Sequence, residues 1–229
     1  ARVRREHLIE HRAAQMESIL VEHFGAHTTQ VAVRQAQPLP GSSLVVRDAS
    51  QAFVLTASTR SLVFAMAQAE QVVEHHPGAD LYVLCTDDDA ARTLSTHGKG
   101  IQLISPELAG SWGVGREALQ STGDNLQPVL AVCRELFSAQ LSLQQLHILG
   151  CDLAVKSALP ACADNRVQMG SLSLGRDMEH AQEALGPYVP ACMGFTRSAM
   201  ARMMGHLPAD TSLSLGDVVH AVGQSGLVI

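Results

Sequence analysis

The residues best suited to hold a small anionic ligand form a short polar cluster directly after an apolar run. Residues 52–56 are apolar as far as Thr56, and Ser58, Thr59 and Arg60 follow within four positions. A guanidinium group can donate two parallel hydrogen bonds to a phosphate, and hydroxyl groups also bind polar ligand atoms. The cluster therefore predicts contacts to a nucleotide, with Arg60 as the phosphate partner. A polar helix cap with a solvent-facing arginine would use the same residues, and the sequence leaves both interpretations open.

Acidic residues follow two further apolar runs. Asp87 begins a run of three aspartates after residues 81–85, and Asp152 follows the apolar residues 146–149. Carboxylates can bind a divalent cation or accept hydrogen bonds from ribose hydroxyls. We therefore predict Asp87 as a nucleotide contact and Asp152 as a metal or ribose ligand. Both have a structural alternative, since aspartate also favours helix N-termini and caps the amides of loops.

Alternating strands and helices would position these polar clusters. In chain order the predicted elements are strand 52–56, helix 61–75, strand 81–85, strand 101–104, helix 126–141 and strand 146–149. Two strands joined through a helix run parallel in one sheet, and ligands bind at the carboxyl ends of such strands. The sequence thus predicts an α/β fold, a mostly parallel sheet flanked by helices, with Thr56, Arg60, Asp87 and Asp152 opening onto one cleft.

The two ends of the chain carry less regular patterns. Residues 2–24 predict a helix, and Pro38-Leu39-Pro40-Gly41 breaks the chain before the first strong strand. We predict an amino-terminal helical appendage with its linker at 1–43 and one α/β domain at 44–229. The predicted elements of the last third are strand 167–174, helix 177–185, helix 198–206 capped by Ser198, helix 213–224 and strand 227–229. The apolar stripe of the first helix suits packing on a second copy of the chain, and its members are Met16, Ile19, Leu20 and Phe24.

Composition narrows the classes of function. The chain has 229 residues, a formal net charge of −6 and only 3% aromatic residues, so it lacks the basic surface and the stacking groups of nucleic-acid binders. Its apolar runs are too short to span a bilayer. The five cysteines show no CxxC spacing and suit free thiols in a reducing compartment. We therefore expect a cytoplasmic protein with no membrane span and no nucleic-acid partner.

Several stretches together resemble the nucleotide-diphospho-sugar transferases of the GT-A fold, in the order in which that family uses them. His75-His76-Pro77-Gly78-Ala79 resembles the family's turn into its second strand, and Leu126-Gln127-Pro128 resembles a Leu-Lys-Pro segment before the metal-binding strand. Residues 146–155 resemble the strand that ends in the Asp-x-Asp motif. Residues 188–198 are similar to a stretch that carries acceptor contacts. The similarity covers roughly residues 52–225.

The resemblance implies a glycosyltransferase-like protein that binds a nucleotide-diphosphate sugar and transfers the sugar to an acceptor not identified by the sequence. In that family the Asp-x-Asp carboxylates hold Mn²⁺ or Mg²⁺ on the diphosphate, which stabilises the leaving group. Here Gly150 occupies the position of the first aspartate, and Asp152 remains as the ligand. The alternative is a catalytically inert GT-A-like module that acts as a scaffold or as a protein-interaction partner.

Overall fold

A computed structural model describes residues 49–97, 100–120, 125–150, 155, 157–171, 191–208 and 212–229. The chain divides into two compact units, Ala1–Arg34 and Gln35–Ile229, and all described residues belong to the second. The predicted amino-terminal helix, its linker, the helix at 177–185 and Asp152 lie outside the described residues.

The described elements alternate between strands and helices along most of the chain. In order they are β1 (Gln51–Ala57), α1 (Leu62–His75), β2 (Asp80–Cys85), α2 (Asp88–His97), β3 (Gln102–Ile104), α3 (Pro106–Ser111), α4 (Arg116–Leu119), α5 (Gln127–Ala139), β4 (Gln145–Leu149), β5 (Gln168–Ser171), β6 (Ala191–Thr196), α6 (Arg197–Met204) and α7 (Leu215–Gln224). None of these helices has the length and hydrophobicity that crossing a bilayer requires.

The described strands form a six-stranded mixed sheet in the order β3-β2-β1-β4-β6-β5. The first four strands in that order are mutually parallel, whereas β6 runs antiparallel to both β4 and β5. Ala57 pairs with Cys85 of β2, and Leu55 pairs with Leu149 of β4, so three carboxyl ends lie side by side. Since β6 is reversed, its first residues lie beside the same end, where Cys192 pairs with Leu149.

Two apolar cores cover the two faces of the sheet. Phe53 and Leu55 of β1 face the core that contains the buried residues of α1 and α2. Ala52 and Val54 face the opposite core, which contains the buried residues of α5, α6 and α7. Side chains of successive strand residues point to opposite faces, so a strand covered on both sides must be apolar throughout. This is why the central parallel strands are visible in the sequence as continuous apolar runs.

Local sequence explains where several helices begin. Ser105 accepts a hydrogen bond from the Leu108 N–H at 3.2 Å, and Pro106 occupies the first turn of α3. Ser214 and Asp217 form a reciprocal capping box at α7. For α6, the predicted start and cap are wrong. The capping side chain is Thr196, which accepts from the Ala199 N–H at 3.2 Å.

The structure confirms the α/β class and the mostly parallel, helix-flanked sheet. The β1, β2 and β4 strands are neighbours and parallel, as the apolar runs predict. The predicted strand at 227–229 is wrong for the described chain, because only an isolated bridge joins Arg166 to Val228. No strand is predicted at 191–196, and these residues form the antiparallel strand β6. A pattern of side chains carries no information on strand direction, which is set by the connection.

Candidate functional site

The carboxyl ends of β1 and β4 form a topological switch point. The chain leaves β1 through α1 to reach β2 on one side, and after β3 it returns through α5 to β4 on the other side of β1. The helix α1 packs on one face of the sheet and α5 packs on the opposite face. Ligands of open α/β sheets bind in the crevice where connections diverge in this way. This edge is therefore the part of the described fold best suited to a small ligand.

The turn that follows β1 is held together by two buried serines. The Ser58 N–H donates to Ser61 Oγ at 2.9 Å, and the two hydroxyl oxygens lie 3.0 Å apart. The Ser61 N–H donates in return to Ser58 Oγ at 3.2 Å. Thr56 is buried within β1, whereas Thr59 and Arg60 are exposed. The turn thus presents Thr59 and Arg60 at the carboxyl edge, above the buried hydroxyl groups of Thr56 and Ser58.

Asp87 joins the turn after β1 to the turn after β2. Its Oδ2 accepts from the Thr59 N–H at 2.8 Å, and its Oδ1 accepts from the Thr59 hydroxyl at 2.5 Å. The same Oδ1 accepts from the Ala90 N–H at 2.8 Å, which makes Asp87 the N-cap of α2. Partial burial raises the pKa of Asp87, but hydrogen bonds from Thr59, Ala90 and Asp89 outweigh burial and lower it below its usual value. Asp87 is therefore ionised at neutral pH.

Two glutamines of α1 hold the chain on either side of Asp152. The buried side chain of Gln68 donates through Nε2 to the Gly150 carbonyl at 2.8 Å. Gln71 Oε1 accepts from the Val155 N–H at 2.8 Å. Asp152 itself lies outside the described residues. Sequence reasoning missed both glutamines, because a polar residue within a helical pattern is usually a solvent-facing one.

Among the described residues, no group of three or more His, Cys, Asp or Glu side chains is placed to hold a metal ion. The three adjacent aspartates turn to different partners. Asp87 binds Thr59, Asp88 pairs with Arg116 at 2.7 Å, and Asp89 pairs with Arg92 at 2.9 Å. The described residues thus do not by themselves fit Mn²⁺ or Mg²⁺. A cation at this edge would depend on Asp152.

A buried polar cluster lies further along the same sheet, on the face that α1 covers. His147 of β4 stacks on Phe53, with ring centroids 5.0 Å apart, and its Nε2 lies 3.0 Å from Gln51 Nε2. The Cys162 Sγ is 3.8 Å from the same imidazole nitrogen. Opposite His147 on β6 is Gly194, where a Cβ would lie 2.7 Å from His147 Nδ1. Only glycine leaves room here for the buried imidazole.

The contact between Cys162 and His147 does not form a nucleophilic pair. Burial, together with the neighbouring Cys192, raises the pKa of Cys162 to about 11. Burial, together with the nearby His76, lowers the pKa of His147 to about 4. A catalytic cysteine needs a lowered pKa and an imidazolium partner, and both shifts here favour the neutral forms. The cluster is therefore a structural one.

A pocket of about 610 Å³ lies at the β5 side of the sheet. Its lining includes Arg166, Gln168, Met169, Cys192 and Val228. Thr56, Ser58, Thr59, Arg60 and Asp87, the described residues predicted to contact a nucleotide, do not line it. The predicted cluster after β1 instead lies on the exposed carboxyl edge, where Thr59 and Asp87 are brought into direct contact.

The sequence matches no protein-family model and no curated protein sequence.

Proposed function

We propose that the protein binds a nucleotide-diphosphate sugar at the carboxyl ends of β1 and β4 and transfers the sugar to an acceptor. The observation that carries the proposal is the switch point between these two strands, with an exposed threonine and arginine on the turn beside it. The GT-A-like stretches in the sequence indicate the class of ligand, a nucleotide-diphosphate sugar. Open α/β sheets support many chemistries, so the function must come from the residues of this edge.

Arg60 is the proposed partner of the diphosphate. Its guanidinium is always charged and can bind phosphate oxygens through two parallel hydrogen bonds. Thr59 belongs to the same exposed turn, whereas Thr56 and Ser58 are proposed to shape the floor of the site because they are buried. Asp152 is the proposed ligand of Mn²⁺ or Mg²⁺, which would offset the charge of the leaving diphosphate.

A catalytically inert module is the second candidate function, and two observations favour it. Gly150, at the position of the first motif aspartate, supplies no carboxylate, and its carbonyl already accepts from Gln68. Asp88 and Asp89 are paired with arginines and do not converge with Asp87. Such a module would act as a scaffold and would show no nucleotide binding that depends on a metal ion.

Calorimetric titration with uridine diphosphate and guanosine diphosphate, with and without Mn²⁺, separates the two functions. For a transferase we expect Mn²⁺-dependent binding that Asp152→Asn abolishes, because a site with few carboxylates cannot lose one and still hold the ion. We expect Arg60→Ala to weaken binding by about tenfold or more, since a hydrogen bond to a charged group contributes about 1.5–3 kcal/mol. Arg134→Ala is the matched control, because Arg134 is exposed on α5 and pairs with Glu135.

The absence of any Mn²⁺-dependent binding by the wild-type protein would refute the transferase and support the inert module. Binding that Arg60→Ala and Arg134→Ala weaken equally would show that general charge, and not the turn after β1, attracts the nucleotide.

A further inference from the structure

The carboxylate of Asp87 is almost fully occupied by hydrogen bonds within the protein. Thr59 donates to it twice, through the backbone at 2.8 Å and through the hydroxyl at 2.5 Å, and Ala90 donates at 2.8 Å. The neighbouring backbone N–H of Asp89 also helps to lower the pKa of this carboxyl group. A carboxylate has about four positions for hydrogen-bond donors, so little of this group remains for a ligand.

The same hydrogen bonds fix the turn that carries Arg60. The backbone pairing of β1 and β2 continues one residue past the end of β2, where the Thr86 N–H donates to the carbonyl of Ala57, the last residue of β1, at 2.8 Å. The contact between Asp87 and Thr59 extends this connection by two residues beyond Ala57 and by one residue beyond Thr86. On the other side of the turn, Ser58 and Ser61 are bonded to each other. The exposed turn is therefore held at both of its ends.

We propose that Asp87 is a positioning residue, which holds the turn with Thr59 and Arg60 in the geometry that binds the nucleotide and does not itself contact the ligand. This inference rests on the proposed function. In this proposal Asp87 affects nucleotide binding through Thr59. The sequence instead predicts a direct contact between Asp87 and the nucleotide.

A double-mutant cycle on uridine diphosphate and guanosine diphosphate binding, with Mn²⁺ present, tests the action through Thr59. We expect Asp87→Asn to weaken binding about tenfold in the wild-type background and less than threefold in the Thr59→Ala background. In the second background the Thr59 hydroxyl bond to residue 87 is already lost, and only the backbone N–H of residue 59 remains as a donor from the turn. Thr59→Ser keeps a hydroxyl that can donate to the carboxylate, so binding in that background is expected to remain as dependent on Asp87 as in the wild-type protein. Asp89→Asn is the control from the same acidic run, since Asp89 pairs with Arg92 on the surface of α2.

Equal losses from Asp87→Asn in both backgrounds would overturn the inference, because the Thr59 hydroxyl would then carry none of the effect of Asp87. A loss from Asp89→Asn as large as that from Asp87→Asn would also overturn it, because net charge would then account for the effect. If the wild-type protein binds neither nucleotide, the proposed function fails, and the same cycle is measured on urea unfolding of the unliganded protein. A coupling of about tenfold in the unfolding equilibrium constant would then support the part of the inference that Asp87 holds the turn through Thr59, and additive effects would refute it.

Discussion

At the scale of single residues, the buried imidazole of His147 gives the fold a defined dependence on pH. The ring is 1% exposed, stacks on Phe53, and has its Nε2 beside Gln51. Burial, with a smaller effect of His76, lowers its pKa from the ordinary 6.5 to about 4. Between these two pH values the unfolded chain binds a proton that the folded protein does not. The stabilisation is therefore complete above pH 6.5 and is lost as the pH falls towards 4.

We expect the wild-type protein to lose about 3 kcal/mol more of its free energy of unfolding between pH 6.5 and pH 4 than His147→Gln does. The variant removes the titrating group and keeps a neutral polar side chain, so carboxylates that titrate in the same range affect both proteins alike. Urea unfolding at half-unit steps of pH measures the difference. Parallel curves for the two proteins would show that His147 is protonated as readily in the folded state as in the unfolded chain.

At the scale of elements, Arg197 connects the start of α6 to the end of α5. Its guanidinium donates to the carbonyls of Phe137, Gln140 and Leu143, the last at 2.9 Å. The same group lies over the Phe137 ring, 5.2 Å from its centroid. The last carbonyl groups of a helix have no partner within the helix, and a cation near them also interacts favourably with the helix dipole. Arg197 thereby fixes α5 against the strand that precedes α6.

We expect Arg197→Lys to lower the free energy of unfolding by about 1.5–3 kcal/mol, because an ammonium group cannot reproduce the planar arrangement of donors that reaches three carbonyls. Urea unfolding measures the change. Arg134→Lys is the control, since its exposed pair with Glu135 contributes about 0–1 kcal/mol. A loss from Arg197→Lys no larger than that of the control would show that charge alone suffices at this position.

At the scale of the whole molecule, the described sheet and the two described apolar cores belong to the unit Gln35–Ile229. The predicted appendage at 1–43 lies outside the described residues. A domain needs its own hydrophobic core to fold alone, and residues 44–229 contain one on each face of the sheet.

We expect the fragment 44–229 to fold without residues 1–43 and to retain the melting temperature of the full chain within a few degrees. Circular dichroism and thermal melting test the fold. Light scattering tests the prediction that the stripe of Met16, Ile19, Leu20 and Phe24 joins two copies, since the full chain should then be an oligomer and the fragment a monomer. A fragment that aggregates or lacks a cooperative melt would contradict the domain boundary at residues 43 and 44. The same number of copies per particle for the fragment and the full chain would contradict the role of the stripe in joining two copies.

The sequence by itself determined the α/β class and the position of the central strands. Both follow from local properties, because parallel strands covered on two faces must be continuously apolar, as in Phe53–Leu55 and Leu81–Cys85. It also placed Thr59, Arg60 and Asp87 at the ends of strands, where a ligand site of such a sheet is expected.

Only the tertiary structure decided which of these residues meet and what they do. The contact between Thr59 and Asp87 spans 28 positions, and that between Gln68 and Gly150 spans 82. The direction of β6 and the close approach of Gly194 to His147 likewise depend on pairings between distant segments. The periodicity of a segment indicates which of its side chains face the core. It does not indicate which residues of a distant segment those side chains will contact. The physical reason is that hydrogen bonds and packing between distant residues form only when the sheet has assembled.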